Sequence, residues 1–193
     1  FDSTVPIARL AATRYRDAEP PLRFCYLQHV YRAIEPKRAQ SRQFLQVGME
    51  LLGLPGAAGD AEAIELLVNL LRAVGLKDFK VAVGDVAFFN GRLSAAGIDE
   101  ARRDAVLHEL HTRDLVGFER ALAEAKLSPD ACSDLARIAK ARGGREMLDG
   151  EAATSLLELD AKLATAGIAD RVIYDLGLVR PLNYYTGTVI EVY

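Results

Sequence analysis

The sequence is short of the residues that several function classes depend on. It has two cysteines, Cys25 and Cys132, far apart and in no metal-type spacing, so neither a disulfide framework nor a cysteine metal site is expected. No charge sign dominates. Lys plus Arg number 24 and Asp plus Glu 27, a formal net charge of −3. A strongly basic nucleic-acid footprint is therefore absent. No apolar run approaches the roughly 20 residues a membrane helix needs, and no secretory leader is expected. Free thiols without a leader predict a cytoplasmic protein with no membrane partner. The glycine-rich phosphate loops, Gly-x-x-x-x-Gly-Lys-Ser/Thr and Gly-x-Gly-x-x-Gly, are missing, as is the Gly-x-Ser-x-Gly turn of a serine nucleophile. His108-Glu109-Leu110-His111 is not the zinc-protease spacing, and its charged surroundings predict a solvated helix face.

What remains is a chain of 193 residues, half of them hydrophobic, enough to bury a sizeable core. Two β-type runs, Leu22 to Arg32 and Gln43 to Leu52, flank the polar stretch Glu35 to Arg42, which reads as a hairpin loop. Leu54 to Gly59 breaks the chain. Asp60 is expected to cap a helix from Ala61 to Val74, with Gly75 as its stop and Ile64, Leu67, Val68 and Leu71 at helical period. Phe79 to Val83 reads as a strand. Residues 86–166 read as mostly helical, with starts at Asp99 and Ser128-Pro129 and a break at Gly143-Gly144. Val172 to Asp175 and Tyr184 to Tyr193 read as strands, with a turn at Arg180-Pro181. This order is α+β, without a βαβ series.

Two runs stand out as candidate sites. In Gln46-Val47-Gly48-Met49-Glu50 alternate residues share a strand face. Arg42, Phe44, Gln46, Gly48 and Glu50 form one side. Leu45, Val47, Met49 and Leu51 form the other, which as the apolar side is expected to pack on the core. A glycine between an amide and a carboxylate leaves room for a small polar ligand, although an ordinary solvated strand has the same spacing. Arg32, at the end of the preceding strand, has the fork geometry that suits phosphate or carboxylate. In the second run, Arg180 to Val189, Tyr185 and Gly187 share a face.

Taken together these segments resemble histidyl-tRNA synthetase and its relatives. Leu22 to Arg32 with Gln46 to Gly53 is similar to their motif 2. Arg180 with Asn183-Tyr184-Tyr185-Thr186-Gly187 is similar to their histidine-specific segment, and Asp2-Ser3-Thr4 with Ala8-Arg9 to the run preceding motif 2. The resemblance implies an α+β fold of the class II aminoacyl-tRNA-synthetase type, an antiparallel sheet flanked by helices with a mostly helical insertion. Residues 1–193 are expected to be one partial core domain, a piece of a longer chain, with a helical subregion at about 86–166. It also implies a histidine-binding set. Asp2, Thr4 and Gln46 meet the α-amino group, Glu50 and Tyr185 the imidazole, and Arg180 the carboxylate or phosphate end. Arg32 and Arg42 are the implied phosphate or anion partners.

The departures favour one branch. The motif 2 glutamate that helps bind ATP is replaced by Ile34. The loop reads Ala39-Gln40-Ser41-Arg42, one cation short, and Pro181 and Asn183 replace a glycine and an aspartate. Adenylation needs positioned cations and donors. Phe79 to Phe89 and the helical block Ala101 to Gly143 resemble the regulatory subunits of ATP phosphoribosyltransferase. That branch implies no catalytic residues, no cofactor and no metal. It implies free histidine as ligand, the short catalytic subunit as partner, and a homodimer within a hetero-octamer in histidine biosynthesis. The alternatives are a true synthetase core and a histidine-binding module serving another partner.

Overall fold

The computed structural model describes residues 3–31, 41–148, 154–180 and 185–193. These fall into two compact units, 1–59 and 60–193.

The first unit is a helix and a hairpin. Helix α1 (Thr4–Thr13) precedes strands β1 (Leu22–Tyr31) and β2 (Gln43–Leu52). These pair antiparallel along their full length, from Leu22 opposite Leu52 to Tyr31 opposite Gln43. The hairpin is the one the alternation predicts, and Arg32 and residues 33–40 lie outside the described residues. Helix α1 was not expected. It belongs to the polar face of the hairpin. Thr4 bonds Glu50, Ser3 bonds Gln28, and the Tyr15 ring meets Phe24 edge-on at 5.2 Å. The expectation for the opposite face is corrected accordingly. Leu45 and Val47 are 56% and 59% exposed, beside Leu27 at 65%. Alternation sorts side chains into two faces but does not say which one a neighbouring element covers.

Helix α2 (Ala57–Ala73) begins earlier than expected. Asp60 therefore lies inside its first turn rather than at the cap, and its carboxylate accepts from the Thr188 hydroxyl at 2.6 Å. Ile64 and Val68 are fully buried, and Gly75 follows at φ +91°, the left-handed backbone of a helix stop.

The second unit is built on a four-stranded sheet. Its strands are β3 (Val81–Asp85), β4 (Arg142–Gly143), β5 (Val172–Asp175) and β6 (Thr188–Val192), in the order β4-β5-β3-β6. β3 pairs parallel with β5 and antiparallel with β6, and β4 pairs antiparallel with β5. All five residues of β3, Val81 to Asp85, are buried, as a central strand flanked on both sides requires. Gly84 lets the chain cross closely, because a Cβ there would stand 2.6 Å from the Leu178 carbonyl oxygen and 2.9 Å from that of Asp175.

Helices α3 (Val86–Ala95), α4 (Glu100–His111), α5 (Leu115–Glu124), α6 (Pro129–Lys140) and α7 (Thr154–Thr165) contribute the rest of the core. Phe89, Leu110, Phe118, Leu135, Leu156 and Leu163 are essentially solvent-free. Local signals set their starts. Asp99 accepts from the Arg102 amide at 2.9 Å, and Ser128 accepts from Ala131 ahead of Pro129 at the first helical position. Asp85 ends β3 and caps α3, accepting from the amides of Ala87 and Phe88 at 2.8 and 3.2 Å. Its other oxygen accepts from the Ser155 hydroxyl at 2.7 Å. The Gly143-Gly144 break contains more than a loop, for Arg142–Gly143 is the edge strand β4 and Arg145–Met147 a 3₁₀ turn.

Candidate functional site

In the first unit the expected ligand residues converge on one hairpin face. β2 presents Phe44, Gln46, Gly48 and Glu50 on the side that carries α1. The Thr4 hydroxyl, at the first position of α1, donates to Glu50 Oε1 at 2.7 Å. The preceding Ser3 is buried and accepts from Gln28 Nε2 on β1. Gln28 stands directly opposite Gln46 in the register. Gln46 Oε1 is buried with no hydrogen-bond partner among the described residues. A buried carbonyl oxygen without a donor costs free energy, and native proteins leave few of them. Gly48 faces Tyr26 across the hairpin, and a Cβ there would lie 2.2 Å from the Tyr26 hydroxyl oxygen. The Tyr26 ring is laid directly across the glycine, and a larger residue there would have to displace it. The outcome is a polar strand face that carries a hydroxyl-bonded carboxylate at one end and a buried amide oxygen four residues away, with Tyr26 laid over Gly48 between them.

Asp2 and Arg32 lie outside the described residues. Arg42 is described and exposed, at a bend just before β2.

The remaining candidates belong to the second unit. Arg180 Nη2 pairs with Glu191 Oε1 at 2.8 Å. Tyr185 is 37% exposed and precedes β6. The expected strand start at Tyr184 is corrected to Thr188, and residues 181–184 lie outside the described residues. Around Arg180 is a charged cluster that the sequence did not reveal. Glu191 Oε2 accepts from the Tyr193 hydroxyl at 2.5 Å and lies 3.9 Å from Arg113 Nη2. Arg113 donates to Asp175 Oδ2 at 3.1 Å and to the Tyr193 hydroxyl at 3.1 Å. The Asp175 side chain is 3% exposed, and it also lies 3.7 Å from Arg142 Nε and accepts from the Gly177 amide. Burial works against the Arg113 charge, but Asp175 and Tyr193 outweigh it, so this guanidinium holds its proton more tightly than usual. His111, expected on a solvated helix face, is half-buried with Nδ1 3.3 Å from the Val179 carbonyl oxygen.

The residues missed from sequence had one usable signal. Gln28 is found by counting the hairpin register from Gln46. Arg113, Asp175 and Glu191 are separated by 62 and 16 residues in the chain, and no local pattern joins them. Among the described residues no group of three or more His, Cys, Asp or Glu side chains is placed to hold a metal ion, and no helix is long and apolar enough to cross a membrane.

The family model described as histidyl-tRNA synthetase matches residues 1–193. The chain is similar to the ATP phosphoribosyltransferase regulatory subunit of Moorella thermoacetica, at 38% identity over 203 residues, covering 100% of this chain and 52% of that protein. It is similar to the subunit of the same name from Geobacter sulfurreducens, at 36% identity over 201 residues, covering 98% of this chain and 46% of that protein. The chain spans about half the length of these curated relatives. Among solved structures it superposes on a Bacillus halodurans C protein described as ATP phosphoribosyltransferase regulatory subunit/histidyl-tRNA synthetase. That match has a TM-score of 0.89 and 34% identity, covering 100% of this chain and 53% of that one. Histidyl-tRNA synthetase from Nostoc sp. PCC 7120 gives a TM-score of 0.82 at 21% identity, over 100% of this chain and 48% of that one, a likeness of fold. The α+β fold is therefore of the class II synthetase type, and the chain belongs to the histidyl-tRNA synthetase family.

Proposed function

We propose that this chain is the histidine-binding core of a regulatory subunit of ATP phosphoribosyltransferase, without catalysis of its own. The observation that carries the reading is the polar hairpin face, where the Thr4–Glu50 pair stands on the same strand face as the buried Gln46 oxygen, which has no hydrogen-bond partner among the described residues. An amino acid's ammonium group suits the Gln46 oxygen, and an imidazole N–H suits the Glu50 carboxylate. In the same reading Asp2 joins Thr4 and Gln46 at the amino group, Tyr185 meets the imidazole, and Arg180 meets the carboxylate end. Arg32 and Arg42 are left as anion partners.

The branch is supported by relatives 36% and 38% identical over almost the whole chain that are named regulatory subunits. It is also supported by the chemistry lost at Ile34, Gln40, Pro181 and Asn183, where adenylation needs polar, cationic or flexible groups. The partner in this reading is the short catalytic subunit, joined in a hetero-octamer built on dimers of this fold. Histidine sensing then means reciprocal coupling between histidine affinity and the state of that subunit.

The test is titration of the intact polypeptide with free histidine. A hundredfold excess over the dissociation constant should stabilise it by about 2.7 kcal/mol, specifically for histidine among the amino acids. The same protein should co-elute with the short catalytic subunit and show no histidine-dependent exchange of pyrophosphate with ATP. Absence of a histidine-specific shift overturns the ligand, and robust exchange restores the synthetase reading.

A further inference from the structure

Arg180 is not a lone cation at the end of a segment. Its Nη2 is paired with Glu191 at 2.8 Å, and Glu191 is itself anchored independently of Arg180. The second Glu191 oxygen accepts from Tyr193, and Arg113 stands 3.9 Å away. Burial disfavours the Glu191 charge, yet Tyr193, Arg180 and Arg113 together hold its carboxyl below the usual glutamate range.

The anchor continues into the helical block. Arg113 follows α4 with φ +61°, left-handed backbone at a non-glycine residue, and its guanidinium stands 3.1 Å from Asp175 and 3.9 Å from Glu191. Two residues earlier His111 meets the carbonyl of Val179, the neighbour of Arg180. The corner between α4 and α5 thus holds the Arg180 segment both at its backbone and, through Glu191, at its side chain. Charge balance leaves the cluster able to attract an anion. Three guanidiniums, of Arg113, Arg142 and Arg180, face two carboxylates, of Asp175 and Glu191. A guanidinium also carries five N–H donors, so one pairing does not exhaust it.

We propose that Glu191, fixed from behind by Tyr193 and Arg113, is a positioning residue that aims Arg180 at the carboxylate of the bound amino acid. This rests on the reading of Arg180 as the carboxylate partner. An acceptor held rigidly on one side of a planar fork presents the remaining donors in one direction, which is how a paired arginine reads a carboxylate. It also makes the α4–α5 corner the part of the helical block through which carboxylate affinity is set.

The experiment compares two ligands on the intact polypeptide by titration calorimetry. One is L-histidine. The other is L-histidinol, which keeps the imidazole and amino group but has a hydroxymethyl group in place of the carboxylate. Glu191→Ala should weaken histidine about tenfold, the equivalent of one strong hydrogen bond, and leave histidinol within about twofold. Glu191→Gln keeps an oxygen facing Arg180 and should restore most of the histidine affinity. Glu191→Asp, one methylene shorter, should reproduce the selective loss, so the proposal stays open to refutation if the alanine variant does not fold. Equal losses for both ligands make Glu191 merely structural and overturn the proposal alone. Tighter histidine binding in the alanine and glutamine variants overturns it too, since Glu191 would then compete with the ligand carboxylate. Failure of the wild-type protein to bind histidine refutes the underlying reading, and the proposal with it.

Discussion

Replacing Glu50 by glutamine isolates the charge that the proposed imidazole contact requires. In the structure the Thr4 hydroxyl donates to Glu50 Oε1 at 2.7 Å, which fixes the carboxylate and leaves Oε2 for a ligand. In Glu50→Gln the amide oxygen takes over the Thr4 bond, because a hydroxyl donor prefers an oxygen acceptor. The amide nitrogen then occupies the ligand side. An imidazole N–H that met an acceptor now meets a donor. Hydrogen bonds to charged groups contribute roughly 1.5–3 kcal/mol, which corresponds to a weakening of about ten- to 150-fold. Partial exposure of Glu50 places the expectation near the lower end, at about tenfold. The fold should hardly notice. The Thr4–Glu50 bond is solvent-accessible and survives in the variant, so stability should change by no more than about 0.5 kcal/mol. Calorimetric titration with histidine, paired with a thermal melt of each protein, measures both quantities. Histidine affinity within about twofold of wild type in a folded variant would remove Glu50 from the ligand site.

Two further expectations follow from packing and charge. Gly84→Ala sets a methyl group 2.6 Å and 2.9 Å from two backbone carbonyl oxygens, which cannot swing aside as a side chain can. The variant should lose about 2–3 kcal/mol by chemical denaturation, and a loss under about 1 kcal/mol would mean the Asp175–Leu178 crossing yields easily. For Glu191 the sign is set by its lowered carboxyl pKa. Its ionised form stabilises the fold above the usual value of 4.5, and that contribution disappears as pH falls through the depressed native value. Melting temperature should therefore drop more steeply for wild type than for Glu191→Gln as pH is lowered from about 5 to 3, and parallel curves would show that Glu191 is not coupled to its arginine neighbours.

Local patterns accounted for much of the fold. Alternation over Gln43 to Leu52 defined a strand, and Asp99 and Ser128-Pro129 located two helix starts, because caps and pleats are decided within a few residues. The same logic failed where two local solutions competed. Asp60 is a good cap by type, yet the helix begins at Ala57 and Asp60 instead meets Thr188, 128 residues away. Helix α1 was hidden because its residues Thr4–Thr13 carry no side-chain cap and neither acidic residues in the first turn nor basic residues in the last.

What the sequence by itself determined is the chemistry of the hairpin face and its membership of a family. The order Gln46, Gly48, Glu50 along one strand fixes which side chains share a side, whatever surrounds them. Tertiary structure alone decided which side was used. Helix α1 covers the polar face and leaves Leu45 and Val47 exposed, reversing the usual expectation that the apolar face is the covered one. It alone also assembled Arg113, Asp175, Glu191 and Tyr193 around Arg180. Asp175 and Glu191 are brought into one sheet by the pairing of β3 with β5 and β6, and Arg113 reaches both from the corner after α4, an arrangement set by burial of the sheet and helices and by no local pattern in the chain.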